Sequence, residues 1–332
     1  LNRLALTAVI PWLEEYVVEV VPWPGRAALP SFWELVNGTM VTIGSLRFLI
    51  VPTEASDHDE WQIPREWVDI AGWTADYYLA VQVVPDENLV RVRGYAPHQA
   101  VRLSVLDHDE RVYCLEALRP IHMLWAECEL CPQKALLSPA PQPLSLTEAQ
   151  SLIARLADPD LQFPRLAVPF ERWAALLVHG GWRQQLYERR QGLVPQWSVL
   201  RWIADGISDQ AVCHGWRQSR ELAGARNVQR MSEPLVRQLV IVGQPYELRV
   251  FPVPSPSERA WRFELRSLVG HVPGGFKLRL LTEDLKSFEN NEDLALTAAD
   301  QLYIEVVLER GEGLVWEVEP QPDCYEREIL FF

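Results

Sequence analysis

The sequence predicts an α+β protein, and three observations predict it. Helix-period and strand-period segments are mixed within the first 137 residues. Residues 138–143, SPAPQP, place three prolines in six positions, and beyond them the hydrophobic period is helical. From Pro234 onward the period is two. The expected parts are an N-terminal α/β region with a small antiparallel sheet or barrel (1–137), a Pro-rich linker (138–143), a helical region (144–233) and a β-sandwich (234–332).

Leu1–Val18 reads as a helix with Leu4, Ala8, Leu13 and Val17 on one stripe, kinked or restarted at Pro11. Pro30 starts a short helical turn that Asn37-Gly38 closes. Met40–Ile43 and Leu46–Val51 form a hairpin about Gly44-Ser45. The stretch His58–Tyr95 spaces Trp61, Trp67 and Trp73 six residues apart. It then runs into two strands, Asp76–Val84 and Leu89–Tyr95, joined by Pro85-Asp86-Glu87-Asn88. This stretch is the expected core of the N-terminal region. Val112–Leu115 adds a strand, and Ala117–Cys131 reads as a helix ending before Pro132.

After the linker, Ser145-Leu146-Thr147-Glu148 is a capping box for Thr147–Leu156. Phe170–His179, Trp182–Gln191, Trp197–Ala204 and Ser208–Gly215 are the further helices, and Gly180-Gly181 divides the first two. Seven strands are expected from Pro234 on: 236–242, 245–251, 261–268, 276–281, 302–308, 314–318 and 328–331. Seven strands in a segment of this length, each with one solvated face, fit an immunoglobulin-like sandwich. The long connection Glu283–Asp300 is expected to expose Asn290-Asn291-Glu292-Asp293.

Composition bounds the function. The formal charge of −14 argues against non-specific binding to nucleic acid or an anionic membrane. That charge is uneven: residues 160–233 hold ten arginines, no lysine and seven acids, a net of +3, between acidic flanks. Five cysteines, an odd number without even spacing, fit free thiols in a reducing compartment. No apolar run reaches the ~18 residues of a membrane span, and Leu1–Val21 does not read as a signal peptide.

In order along the chain, ALPSFWELVNGT, IPREWVDIAGWTADYYLAVQV, FPRLAVPFERWAALLVHGGWRQQLYERRQGL, YELRVFPV, WRFELR, GFKLRLLTEDLKSFENNED and QLYIEVVLERGEGLVWEVEP resemble a cyanobacterial family known as domain of unknown function 1822. The resemblance spans almost the whole chain, and the ordered set is specific. It implies a cyanobacterial, cytoplasmic protein and carries no catalytic residues with it. The resemblance also implies a genetic association with alternative sigma factors and caspase-like proteases.

Several strings could carry chemistry. Asp57-His58-Asp59-Glu60 and Asp107-His108-Asp109-Glu110 repeat one tetrapeptide and together could offer imidazoles and carboxylates to a divalent metal; the plainer reading is two polar turns. Cys128-Glu129-Leu130-Cys131 lacks the second pair that a structural zinc needs and sits at a helix end, which favours two structural thiols. His179-Gly180-Gly181-Trp182-Arg183 could present backbone N–H groups to an anion, but close packing accounts for its glycines more simply. Cys213-His214 are chain neighbours and do not face each other as nucleophile and base. Gly-x-Ser-x-Gly, Gly-x-Gly-x-x-Gly and His-Glu-x-x-His are all absent.

The basic stretch remains. Arg183, Arg189, Arg190, Arg201, Arg217 and Arg220 form the expected partner-binding set, a face for an acidic protein, weighed against ordinary solvated helix faces. The expected function is therefore a non-enzymatic protein-interaction or regulatory protein without metal or cofactor. In one version it is an inhibitory partner of a sigma factor, and in another a substrate of a caspase-like protease cut at 224–232 or 138–143. The alternative is a metal-dependent or other hydrolase using the Asp-His-Asp-Glu loops.

Overall fold

The computed structural model describes residues 1–55, 60–130, 138–218, 234–254 and 259–332. The chain is α+β and divides into two units, residues 1–144 with 154–178 and residues 145–153 with 179–332. The helices that follow the Pro-rich stretch are divided between the units and do not form a region of their own.

The first unit contains α1 (Asn2–Glu14), β1 (Val21–Pro22), α2 (Leu29–Leu35), β2 (Thr39–Ile43), β3 (Leu46–Thr53), β4 (Trp61–Pro64), α3 (Glu66–Asp69), β5 (Tyr77–Val84), β6 (Leu89–Pro97), α4 (His98–Leu103), β7 (Val105–Asp107), β8 (Val112–Leu115) and α5 (Leu124–Leu130). Its larger sheet has the order β1-β2-β3-β5-β6, antiparallel except for the parallel pair β3–β5. It is an open sheet and not a barrel. The smaller sheet is β4-β8-β7.

One face of α1 covers the larger sheet. Ala5, Leu6, Val9, Ile10 and Leu13 are buried, while Leu4 and Ala8 are exposed. The buried set keeps a strict 3.6 period, which the expected Leu4–Ala8–Leu13–Val17 stripe does not. Pro11 lies on the solvent side, and the helix runs on through it to Glu14. The tryptophans of the Trp61–Trp73 stretch are core, as expected. Phe32, Trp67 and Trp73 form an aromatic cluster with centroids 4.7–5.8 Å apart. Trp67 donates its indole N–H to the Asn37 carbonyl at 2.8 Å. Gly38, at φ +123°, lets it do so, because a Cβ there would lie 2.8 Å from the Trp67 indole nitrogen.

The expected helix over 117–131 is shorter. Arg119 and Tyr95 exchange both backbone hydrogen bonds, at 2.8 and 3.0 Å. This holds the chain extended up to Pro120, and helical structure begins only at Ile121.

α6 (Leu146–Leu156) begins at the expected capping box: the Ser145 N–H donates to Glu148 at 3.2 Å and the Glu148 N–H donates to the Ser145 hydroxyl at 3.4 Å. α7 (Phe170–Val178) belongs to the first unit. The second unit contains α8 (Gly180–Arg190), α9 (Val199–Asp205), α10 (Asp209–Cys213), β9 (Trp216–Gln218), β10 (Leu235–Ile241), β11 (Gln244–Pro252), β12 (Ala260–Ser267), β13 (Lys277–Thr282), β14 (Glu292–Leu294), β15 (Leu302–Val307), β16 (Gly313–Glu319) and β17 (Ile329–Phe331).

All seven expected C-terminal strands are present, joined by β9 and β14. They form a five-stranded sheet, β15-β12-β11-β10-β9, and a four-stranded sheet, β14-β13-β16-β17. Both sheets contribute to one core that includes Leu248, Phe263, Leu280, Ile304 and Trp316. The order does not confirm the immunoglobulin-like sandwich. Four strands consecutive in sequence, β9 to β12, are also neighbours in one sheet, where an immunoglobulin Greek key would have changed sheets. Val242-Gly243 is the short turn that pairs β10 with β11. The Glu283–Asp300 connection is also more ordered than expected. Asn291 is buried with its amide donating to the Leu280 carbonyl at 2.6 Å, which brings Glu292–Leu294 beside β13 as a strand.

Candidate functional site: a polar cavity in the second unit

Two glycines set this site. At Gly180 a Cβ would lie 2.7 Å from the Arg327 carbonyl oxygen, and at Gly181 it would strike the Ile329 side chain. The first turn of α8 can therefore rest directly on residues 327–329 of the C-terminal tail only because both are glycine. The close-packing reading of Gly180-Gly181 is correct, although the partner is a strand-forming tail and not a second helix. The anion reading loses its place, since the backbone of that tail covers the same turn.

His179 caps the helix. Its Nδ1 accepts from the Trp182 N–H at 3.3 Å, and the two rings stack with centroids 4.1 Å apart. Burial, reinforced by Arg327, lowers the imidazole pKa to about 3, so the ring is neutral and available as an acceptor. One residue into the next turn, the Arg183 guanidinium is 1% exposed and grips both oxygens of Glu326.

The tail continues into a second buried cluster. Glu328 is 4% exposed and receives hydrogen bonds from the indoles of Trp216 at 2.9 Å and Trp316 at 3.3 Å. Arg237 Nε and His214 Nδ1 lie 3.4 Å from its other oxygen. Burial raises the Glu328 pKa, but Arg237, His214 and Trp216 outweigh it, and the net shift is downward.

Between α8, the tail and the Pro195–Arg201 segment lies a cavity of about 500 Å³. Its wall carries Glu188, Gln185, Trp197, His214 and Glu283, and Arg189 and Arg201 line it as well. Glu188 is 5% exposed and accepts from Gln184 Nε2 at 3.0 Å and the Gln196 N–H at 3.3 Å. Burial raises its pKa. Glu283 is shifted the same way, by burial first and Asp284 second. The Phe331 N–H donates to the Trp197 carbonyl at 2.9 Å, so the last strand holds this wall in place.

The expected partner-binding arginines separate into three groups. Arg189 and Arg201 are exposed and line the cavity, and neither forms an ion pair among the described residues. Arg183 is buried and spent on Glu326, while Arg217 donates to Glu247 at 2.6 Å. Arg190 is half-buried and also engaged. These three are therefore not a free basic face. Arg220 and the connection 224–232 lie outside the described residues.

The other candidates lie elsewhere. Asp57, His58 and Asp59 are outside the described residues. Asp107 accepts from the Asp109 and Glu110 N–H groups at 2.8 and 3.1 Å, which makes the second loop a self-capped polar turn. Strand register puts Glu60 beside the Trp61–Leu115 end of the small sheet and this turn beside the Pro64–Val112 end. Among the described residues, no group of three His, Cys, Asp or Glu side chains is arranged to hold a metal. Cys128 is half-buried with its thiol pKa raised to about 11 by burial, which disfavours the reactive thiolate; Cys131 is outside the described residues. Cys213 is exposed, whereas the His214 ring turns to Glu328.

The profile of the family described as "protein of unknown function (DUF1822)" matches residues 1–331. The chain belongs to this family. No curated protein and no solved structure matches it. Among the described residues of this DUF1822 protein, no helix is long and apolar enough to cross a membrane.

Sequence reasoning missed the carboxylates of the cavity. Glu188 and Gln184 are an i, i+4 pair on α8, and Gly181 precedes Gln184 by three. A small residue followed by polar residues at helical spacing, beside a Gly-Gly pair, was the available signal.

Proposed function

We propose that this DUF1822 protein is a non-enzymatic, regulatory protein-interaction protein whose docking face is the arginine-bearing mouth of the second unit's cavity, and that its partner is acidic. One observation carries this reading: Arg189 and Arg201 both line the cavity, and both are exposed with no ion pair among the described residues. Leu193, Val194 and Leu200, 43%, 62% and 41% exposed, are close to them in the chain and supply apolar contact surface. Arginine with exposed apolar groups is the composition of an interface centre. A sigma factor is the partner class that the family resemblance implies. The exposed residues Pro139, Ala140, Gln142 and Pro143 would be accessible to a protease.

The test is affinity capture from cells of origin with the full chain and with the Arg189→Glu/Arg201→Glu variant. The expected result is an acidic protein retained by the native chain, released by salt and lost with the variant. Equal retention by both proteins, or no protein above an unrelated acidic control, overturns the reading.

A further inference from the structure

We propose that the interior of the same cavity is a binding site for an organic cation, a guanidinium or primary ammonium group seated against Glu188. This goes beyond the acidic-partner reading and does not depend on it, since it concerns the cavity wall and not the two arginines.

The argument begins with an imbalance. A buried carboxylate is ordinarily paired with a cation, because desolvation is costly otherwise. In this unit Glu326 is paired with Arg183, Glu328 with Arg237, and Glu317 with Arg327. Glu188 and Glu283 line the cavity, and neither has a cationic partner among the described residues. Among the described residues the donors to Glu188 are neutral, Gln184 and the Gln196 N–H. The Trp197 indole N–H, on a side chain 5% exposed, turns toward the same carboxylate without completing a hydrogen bond.

His214 is the second, independent observation. Its side chain is 10% exposed and packs edge-on against Trp197 with centroids 5.0 Å apart. The residue lines the cavity; Nδ1 faces Glu328, so the ring proton belongs on that nitrogen, and the buried Nε2 has no hydrogen-bond partner among the described residues. In the neutral ring Nε2 is an acceptor. Glu188 and Glu283 thus offer carboxylate oxygens, and His214 a ring nitrogen, without a cationic partner on the cavity side among the described residues. A guanidinium has five donors and no acceptor, and an ammonium has three, so these are the groups such a wall recognises. An aromatic wall such as Trp197 also suits a cation. Arg189 and Arg201 are exposed, and solvent screens their repulsion.

The experiment titrates the full chain with ethylguanidinium chloride and butylammonium chloride, with neutral ethylurea as the shape control. Calorimetry and the Trp197 indole N–H resonance, assigned by its loss in Trp197→Phe, are the readouts. The expected result is saturable binding of a cation that shifts the Trp197 signal, no binding of ethylurea, and at least about tenfold weaker binding in Glu188→Gln. Thermal unfolding of Glu188→Gln checks that it folds; removal of an unpaired buried charge should leave its midpoint unchanged or raised. A blocked peptide, acetyl-Gly-Arg-Gly-amide, distinguishes the source of the cation. Tighter binding than ethylguanidinium assigns a side chain of a protein partner, and exclusion of the peptide assigns a free small cation. No binding by either cation, equal binding of ethylurea, or binding unchanged in Glu188→Gln overturns the proposal.

Discussion

Arg165 holds both oxygens of Glu66, with Nε 3.0 Å from Oε1 and Nη2 2.7 Å from Oε2. The pair joins α3 to a segment 99 residues later. Glu66 is fully buried, and Trp173 adds an indole N–H at 2.8 Å to its Oε1. Bidentate geometry and a third donor are what allow a carboxylate to be buried in a core.

Breaking the pair from one side should therefore cost more than replacing it. Glu66→Ala strands the Arg165 guanidinium and the Trp173 N–H, and is expected to lower unfolding stability by about 3–5 kcal/mol. The double replacement Glu66→Leu/Arg165→Met leaves no stranded charge and should recover most of that loss. Urea unfolding followed by tryptophan fluorescence measures both. Additive losses in the double variant would show that the two side chains act independently.

The two glycines of α8 should differ in a way that composition does not suggest. A Cβ at Gly180 meets the backbone oxygen of Arg327 at 2.7 Å, and backbone cannot step aside. A Cβ at Gly181 meets mainly the Ile329 side chain, whose rotamer can change. Gly180→Ala is expected to be the more destabilising, by about 1–3 kcal/mol as an overpacked contact. Adding Ile329→Ala, which removes the clashing Cγ1 and Cδ1, should recover part of the loss in Gly181→Ala, whereas Gly180→Ala should have no such rescue. Thermal unfolding of the four proteins checks the order.

What the sequence revealed was mostly local. The Ser145–Glu148 capping box, the Trp61–Trp73 core and the seven C-terminal strands all follow from period and turn chemistry, which short segments carry. The order of the strands does not, because it depends on pairings such as β12 with β15, whose partners lie some forty residues apart. The arginines illustrate the same limit. Arg183 and Arg189 look alike in the sequence, but one is 1% exposed because Glu326, from the far end of the chain, reaches it. Glu188 shows the converse: nothing in its local sequence reveals that it is 5% exposed with no cationic partner among the described residues.

His179 gives the second unit a pH dependence with a definite sign. Its ordinary pKa of 6.5 falls to about 3 on folding, through burial first and Arg327 second. Above both values the ring is neutral in either state, and its cap on Trp182 is fully expressed. As pH falls from about 6.5, the unfolded chain binds a proton that the native state refuses, and stability is lost at up to about 1.4 kcal/mol per pH unit. His98 is shifted in the same direction, so the wild-type slope alone is not diagnostic. His179→Asn keeps a side-chain cap and removes the titration. Its unfolding free energy should be lower than wild type near neutral pH but should fall less steeply between about pH 6.5 and 5. Parallel curves for the two proteins would exclude His179 as the source.

Glu328 should behave in the opposite part of the acid range. Burial alone would raise its pKa, but Arg237, His214 and Trp216 hold it below its ordinary 4.5. The stability it contributes is therefore complete above about pH 4.5 and is lost as pH falls through its lowered native value. Glu328→Gln should weaken the attraction to Arg237 and remove this acid-range loss. Because Trp216 lies on β9 and Trp316 on β16, one carboxylate joins the two sheets of the second unit. Glu328→Ala leaves both indoles and Arg237 without it and is expected to cost about 3–5 kcal/mol, more than Glu328→Gln. Denaturant titrations at neutral pH rank the two variants. If Ala and Gln cost the same, the charge and not the shared hydrogen bonds joins the sheets.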